Sequence, residues 1–207
     1  ALAHGEPASR YTLSHVETTA KKDGDDYVLN GNKAVAISGD SADYLVVSAR
    51  TSGEVDDEKG ISLFLIKGDA DGLSRRGYGT ADGYRAAEIA LKDVSVPADA
   101  LIGSAHDAYA NLEISYAIGI IAVSAEALGA MKVAADMTLE YLKTRKQFGV
   151  VIGKFQALQH RMADMLTEVE QVRSALINAC GHFETDEREW HISALKHLVG
   201  RTGRLVC

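Results

Sequence analysis

Two cysteines in 207 residues, Cys180 and Cys207, leave little room for a disulfide framework. They lie far apart and match no zinc spacing, even with His182 beside Cys180, so reduced thiols in the cytoplasm and no metal site are expected. No apolar run reads as long enough to span a bilayer, and the start lacks the basic, apolar and small-residue layout of a signal peptide. A net charge of −7 gives no basic surface for nucleic acid. No G-x-G-x-x-G follows a strand, and neither a Walker loop nor H-E-x-x-H occurs. His191 and His197, six apart, read as solvent or interface residues, and Gly39-Asp40-Ser41 as a turn without a nucleophile elbow's context. Internal repeats and low-complexity tracts are absent as well. What remains, 46% hydrophobic and 25% charged, has the composition of an ordinary globular chain.

The chain changes period near residue 105. Before it, short β-branched runs alternate with turn signals: Val16–Lys21, Asp23-Gly24-Asp25, Tyr27–Leu29, a predicted hairpin turn at Asn30-Gly31, then Lys33–Ile37. Asp43–Arg50, Ile61–Lys67, Ala86–Leu91 and Val94–Val96 continue the strands, and Pro97 closes them. The acidic stretch Glu54–Glu58 reads as a solvated connector. Beyond 105 apolar residues recur at helical spacing, predicting helices over about 108–146, 155–183 and 187 to the end. The expected class is α+β: an antiparallel β-barrel or sandwich over 1–104, then a truncated antiparallel helical bundle over 105–207.

Tyr141–Met165 joins the first two helices. Arg145, Gln147 and Phe148 sit at the break: a fixed positive charge, an amide and a ring, a set that suits an anionic, flat ligand such as a nucleotide. The same residues could equally be an Arg closing a helix and a Phe filling the core.

Arg145-x-Gln147-Phe148-Gly149, Ile152, Phe155-Gln156-x-x-Gln159 and Ala163-Asp164-Met165 resemble the signature segment of the acyl-CoA dehydrogenase family. The resemblance extends through Tyr27-x-Leu29-Asn30-Gly31-x-Lys33, Ala42-Asp43, Gly60–Leu65 and Asp93–Pro97, covering most of the chain. It implies FAD between a β domain and a bundle, an acyl-CoA substrate, fatty acid metabolism, an electron-transfer flavoprotein as acceptor, and a homo- or hetero-oligomer, dimer or tetramer. Arg145 and Gln156 match residues that hold the FAD diphosphate and adenosine of a neighbouring subunit, with Gln147 and Phe148 beside them. Ala36, Ile37 and Ser38 match the strand beside the isoalloxazine, and Ser9 falls near a turn that contacts flavin and acyl-CoA.

The departures are equally specific. Where the family carries K-x-W-I-T, this chain has Lys33-Ala34-Val35-Ala36-Ile37, without the covering ring and the hydroxyl. The turn Leu2–Arg10, which includes the loop residue His4, lacks two of the family's glycines. Ile120, or a residue near it, stands where the family has a substrate-contacting arginine, and Gly119 stands where a minority of members carry their base. No catalytic residue is therefore assigned. The chain begins at Ala1 and stops inside a predicted helix, so it reads as an internal piece whose base lies elsewhere. The resemblance supports two roles: part of an FAD-dependent dehydrogenase that removes the α-proton and β-hydride of an acyl-CoA, or a flavin-deficient structural subunit completing a partner's site. The second resembles the small subunits of pimeloyl-CoA dehydrogenases. An oxidase on the same fold is a third reading. Without the segments that cover its helices, the piece is expected to be poorly soluble.

Overall fold

The computed structural model describes residues 1–206 and divides into two compact units, Ala1–Glu113 and a second beginning at Ile114. In the first, strands β1 (Leu2–Ala3), β2 (Thr19–Asp23), β3 (Asp26–Ile37), β4 (Tyr44–Arg50), β5 (Ile61–Lys67), β6 (Leu73–Gly79), β7 (Arg85–Val96) and β8 (Leu101–Ile102) form one sheet. Its order is β6-β7-β3-β2-β4-β5-β8, with β1 alongside β4.

The expected α+β class holds, and the sheet refines the barrel-or-sandwich reading in two respects. It does not close, since β6 and β8 are separate edges, and it is not wholly antiparallel. β1 runs parallel to β4 through Leu2↔Val46, and β2 meets β4 in parallel at Thr19↔Arg50. Leu29, Leu45, Val47, Phe64, Ile66, Ile89 and Val94 make its main core, with Tyr27 edge-on to Phe64 at 5.0 Å between centroids.

Asn30-Gly31 is not a turn. It lies within the unbroken strand β3, and the tight reversal is the neighbouring Gly24-Asp25 between Asp23 and Asp26. Gly31 is needed for close approach instead: a Cβ there would stand 2.6 Å from the Thr18 Cα and 2.4 Å from its hydroxyl. β7 likewise runs through Lys92-Asp93, where an irregular register opposite Leu29/Gly31 lets one strand replace the two expected. β6 was not predicted. Its sequence, LSRRGYG, has almost no apolar alternation because it is a half-exposed edge.

Arg50 anchors the acidic connector. Its buried guanidinium donates to the carbonyls of Ser14, Val55, Asp57 and Lys59, so a loop that looks merely solvated is tied down through its backbone.

The helices are α1 (Tyr109–Thr144), α2 (Gln156–Gly181) and α3 (Arg188–Val206). In the second unit Ala117, Ala179, Ile192 and Leu195 form one cluster, and Met131, Val169, Val172 and Val206 another. One side of α1 stays bare: Ile118, Val123, Val133, Met137 and Tyr141 are all more than half exposed. The expectation that no stretch could span a bilayer is also corrected. α1 is long and apolar enough by length and composition, an 18-residue stretch of it having a mean hydropathy of 1.6. Ile114–Ala125 carries no charge, but interspersed Gly, Ala, Ser and Tyr make it read as a stripe instead of a run.

Candidate functional site

The residues singled out in the sequence fall into two groups, one in each unit. In the second unit, α1 ends at Thr144 and the chain turns through a small hairpin, β9 (Lys146–Gln147) and β10 (Val150–Val151), before a single 3₁₀ turn, Ile152–Lys154, leads into α2. Val150 pairs with Gln147, leaving Phe148-Gly149 as a two-residue tip. Both tip residues have positive φ, 53° and 80°, the geometry of a type I′ turn. The Ile152 N–H donates to the Arg145 carbonyl at 2.9 Å and closes the hairpin at its base. Gly153 lets the 3₁₀ turn abut the end of α1, since a Cβ would come within 2.7 Å of the Leu142 carbonyl oxygen. Gln159 Nε2 donates to the Gly153 carbonyl at 2.8 Å and fixes the entry into α2.

On this scaffold Arg145, Gln147, Phe148 and Gln156 are all exposed. Phe148 is 91% exposed, touching Phe155 edge-on at 6.1 Å, so it does not fill the core. The Arg145 side chain makes no ion pair among the described residues, although a helix C-terminus lies beside it. A guanidinium, two amides and an exposed ring, with no hydrogen bond from their polar groups among the described residues, are carried on a hairpin tied at its base.

The first unit places Ala36, Ile37 and Ser38 at the end of β3. The β3–β7 register shifts between Lys33 and Ala36, and Val35 takes a φ of 53° at that irregularity. Val35 and Ile37 are 57% and 53% exposed, while Ala36 is buried between them. The Ser38 N–H donates to the Arg85 carbonyl at 2.8 Å and the Ala34 N–H to Gly5 at 2.7 Å, so neither is spare for a ligand. Ser9 is buried, its hydroxyl accepting from the Glu6 N–H at 3.0 Å and donating to the Glu6 carbonyl at 2.9 Å. Ser9 thus shapes the turn and presents no free hydroxyl.

A feature the sequence reading missed lies behind this strand. The Lys33 ammonium is fully buried and donates to Glu6 Oε1 at 2.6 Å, to Ser48 Oγ at 3.0 Å and to the His4 carbonyl at 3.3 Å. Glu6 also accepts from the backbone N–H groups of Glu17 and Thr18. Burial opposes its ionisation, but the Lys33 charge and these donors together hold its carboxyl below the usual range. Burial draws the Lys33 ammonium down to about 8 against the upward pull of Glu6. His4 lies in a loop, as expected, and is buried there. Its Nδ1 lies 2.8 Å from Ser48 Oγ, and burial, then the Lys33 charge, lower it to about 4. The signal was available: alternation puts Lys33 on the same side of β3 as Leu29 and Gly31, and a lysine facing inward needs a carboxylate.

Comparisons with known proteins agree with the geometry. The middle domain of acyl-CoA dehydrogenases matches residues 1–94 and the C-terminal domain of that family matches 117–207. Cyclohexane-1-carbonyl-CoA dehydrogenase of Geobacter metallireducens is 30% identical over 197 residues, 93% of this chain and 51% of that protein. Butyryl-CoA dehydrogenase from Megasphaera elsdenii superposes with a TM-score of 0.86 at 27% identity, over 99% of this chain and 55% of its own. An FAD complex of PigA gives 0.90 at 28% identity, over 99% and 54%. The chain spans about half the length of the curated relatives it matches. Sheet, hairpin and helices alike place this chain in the acyl-CoA dehydrogenase family.

Proposed function

We propose that the whole protein is an FAD-dependent acyl-CoA dehydrogenase and that this chain lends Arg145, Gln147, Phe148 and Gln156 to the nucleotide end of a flavin site shared between subunits. The observation that carries this is the hairpin after α1, where an unpaired guanidinium and a 91% exposed ring are presented on a tied backbone. Donor and ring chemistry fit FAD: a guanidinium fork for diphosphate oxygens, amides for polar edges, a ring for adenine. When bound, FAD supplies the two-electron acceptor for α,β-dehydrogenation of the thioester. At the other end Ala36–Ser38 flanks the isoalloxazine, with exposed Val35 and Ile37 offering aliphatic contact where relatives offer a ring and a hydroxyl. The base is supplied by a carboxylate outside these residues, and an electron-transfer flavoprotein takes up the electrons.

A second reading rests on that same strand. With Val35 and Ile37 at the flavin edge and the Ser38 N–H already committed, the chain also fits a subunit that completes a partner's site without holding its own flavin. Purified protein, alone and with any co-encoded homologue, separates the readings through its flavin spectrum and its bleaching by acyl-CoAs of varied length. Bleaching of the protein alone supports the self-sufficient enzyme; active flavin only with a partner supports the completing subunit. Replacing Arg145 by Met should weaken FAD retention roughly ten- to hundredfold. Unchanged retention in that variant overturns both readings.

A further inference from the structure

The turn between α2 and α3 gathers groups that flavin binding leaves unused. His182 follows α2, Glu187 precedes α3, and His191 lies in its first turn. Nε2 of His182 and Nε2 of His191 stand 3.7 Å and 3.6 Å from the same oxygen, Glu187 Oε2. One ligand-capable atom of each residue lies within 4.8 Å of the other two. The two imidazoles stack with centroids 3.9 Å apart and planes 19° from parallel.

The hydrogen bonding of His182 fixes which nitrogen is available. Its Nδ1 lies 2.9 Å from the Asn178 carbonyl oxygen, which can only accept, so Nδ1 carries the proton. In the neutral ring Nε2 therefore presents a lone pair toward Glu187. Metal-ligating histidines are typically anchored this way, through the remote nitrogen on a carbonyl. The two N···O separations are too long for hydrogen bonds. They are close to the roughly 3.3 Å between ligand atoms about 2.0 Å from a tetrahedral ion. A small contraction, with the rings splaying out of their stack, brings the three lone pairs to one point. Exposure is graded, 13% for the His191 side chain, 38% for His182 and 70% for Glu187, leaving an open side where water can complete the coordination.

We propose that His182, Glu187 and His191 form a binding site for a divalent cation of the zinc type, which fastens the α2–α3 turn. Two imidazoles and one carboxylate select zinc, copper or nickel over magnesium and calcium. The site is independent of the flavin reading.

The structure also supplies a reporter. Trp190, the single tryptophan of the sequence, stands edge-on to His191 with ring centroids 4.7 Å apart. We would titrate Cu²⁺ into protein carrying Cys180→Ser and Cys207→Ser, so that neither of these thiols binds or reduces the metal, and follow the part of the fluorescence that a Trp190→Phe control lacks. Quenching should saturate at one equivalent and reverse on adding a chelator such as EDTA. In the same background, His182→Asn and Glu187→Gln should each raise the half-quenching concentration roughly tenfold or more. His197→Asn should leave it unchanged. Zn²⁺ should also raise the thermal midpoint of the parent and not that of Glu187→Gln. Half-quenching that is the same in all variants, or absent at a tenfold excess of Cu²⁺, overturns the proposal. His191→Ala is not required, because the exposed Glu187 and the part-exposed His182 decide the outcome without disturbing the more buried ring.

Discussion

Lys33 and Glu6 face each other at 2.6 Å with side chains 0% and 1% exposed, joining the middle of β3 to the turn that follows β1. The pair is closed to solvent on both sides and fully hydrogen-bonded, so it fastens two segments 27 residues apart in the chain.

Removing one partner leaves the other charge buried alone. Lys33→Met and Glu6→Gln should each cost about 3–5 kcal/mol in urea unfolding. The double variant Lys33→Met/Glu6→Gln should be less destabilised than the sum of the two. Additivity within about 0.5 kcal/mol would show that the pair is not coupled.

His4 sets an acid limit. The unfolded chain takes up a proton near the ordinary imidazole value of 6.5, whereas the folded chain resists until about 4. Protons therefore favour the unfolded state within that window. The contribution is fully present above about 6.5 and is lost as pH falls toward 4, by about 3 kcal/mol for a shift of this size. His4→Gln should flatten this part of the stability–pH curve. An identical slope in wild type and variant would remove His4 as its source.

Gly31 and Gly24 should respond differently to alanine. At Gly24 an added Cβ meets nothing within 4 Å, so Gly24→Ala carries only the strain of a positive φ, about 1 kcal/mol. At Gly31 the Cβ meets backbone at 2.6 Å, and the strands must part. Thermal unfolding should place Gly31→Ala well below Gly24→Ala, by at least about 2 kcal/mol. Equal midpoints would mean that the sheet yields freely there.

Arg50→Lys should loosen the connector without unfolding the sheet. An ammonium has three donors and no planar fork, so it cannot reach the carbonyls of Ser14, Val55, Asp57 and Lys59 together. Limited proteolysis within residues 51–60 should accelerate while the thermal midpoint falls by only a few degrees. Unchanged cleavage would show that the loop holds itself.

The helices were legible because long 3.6-residue periods with few breakers admit few alternatives: α1, α2 and α3 begin and end within a few residues of their predicted limits. The sheet was less so. Asn30-Gly31 carries a strong turn signal, but the glycine answers a long-range demand, the approach of Thr18, which no local pattern encodes. β6 was invisible because an edge strand has only half a core to face. At the candidate site, Arg145 and Phe148 were legible as residue types, and the exposure of Phe148 takes it out of the core. The Lys33–Glu6 pair was hidden in plain sequence because its members are brought together by the sheet and not by spacing.

Val35 offers a last consequence. A β-branched residue at φ 53° and 57% exposed is held in a backbone state that glycine or asparagine would enter more easily, with little packing in return. Drift under folding pressure alone would move this position toward those residues. Its occupancy among natural variants is therefore a record of selection: a persistent aliphatic side chain would report a surface that something apolar must meet, and free exchange for glycine would report a strand end that nothing visits.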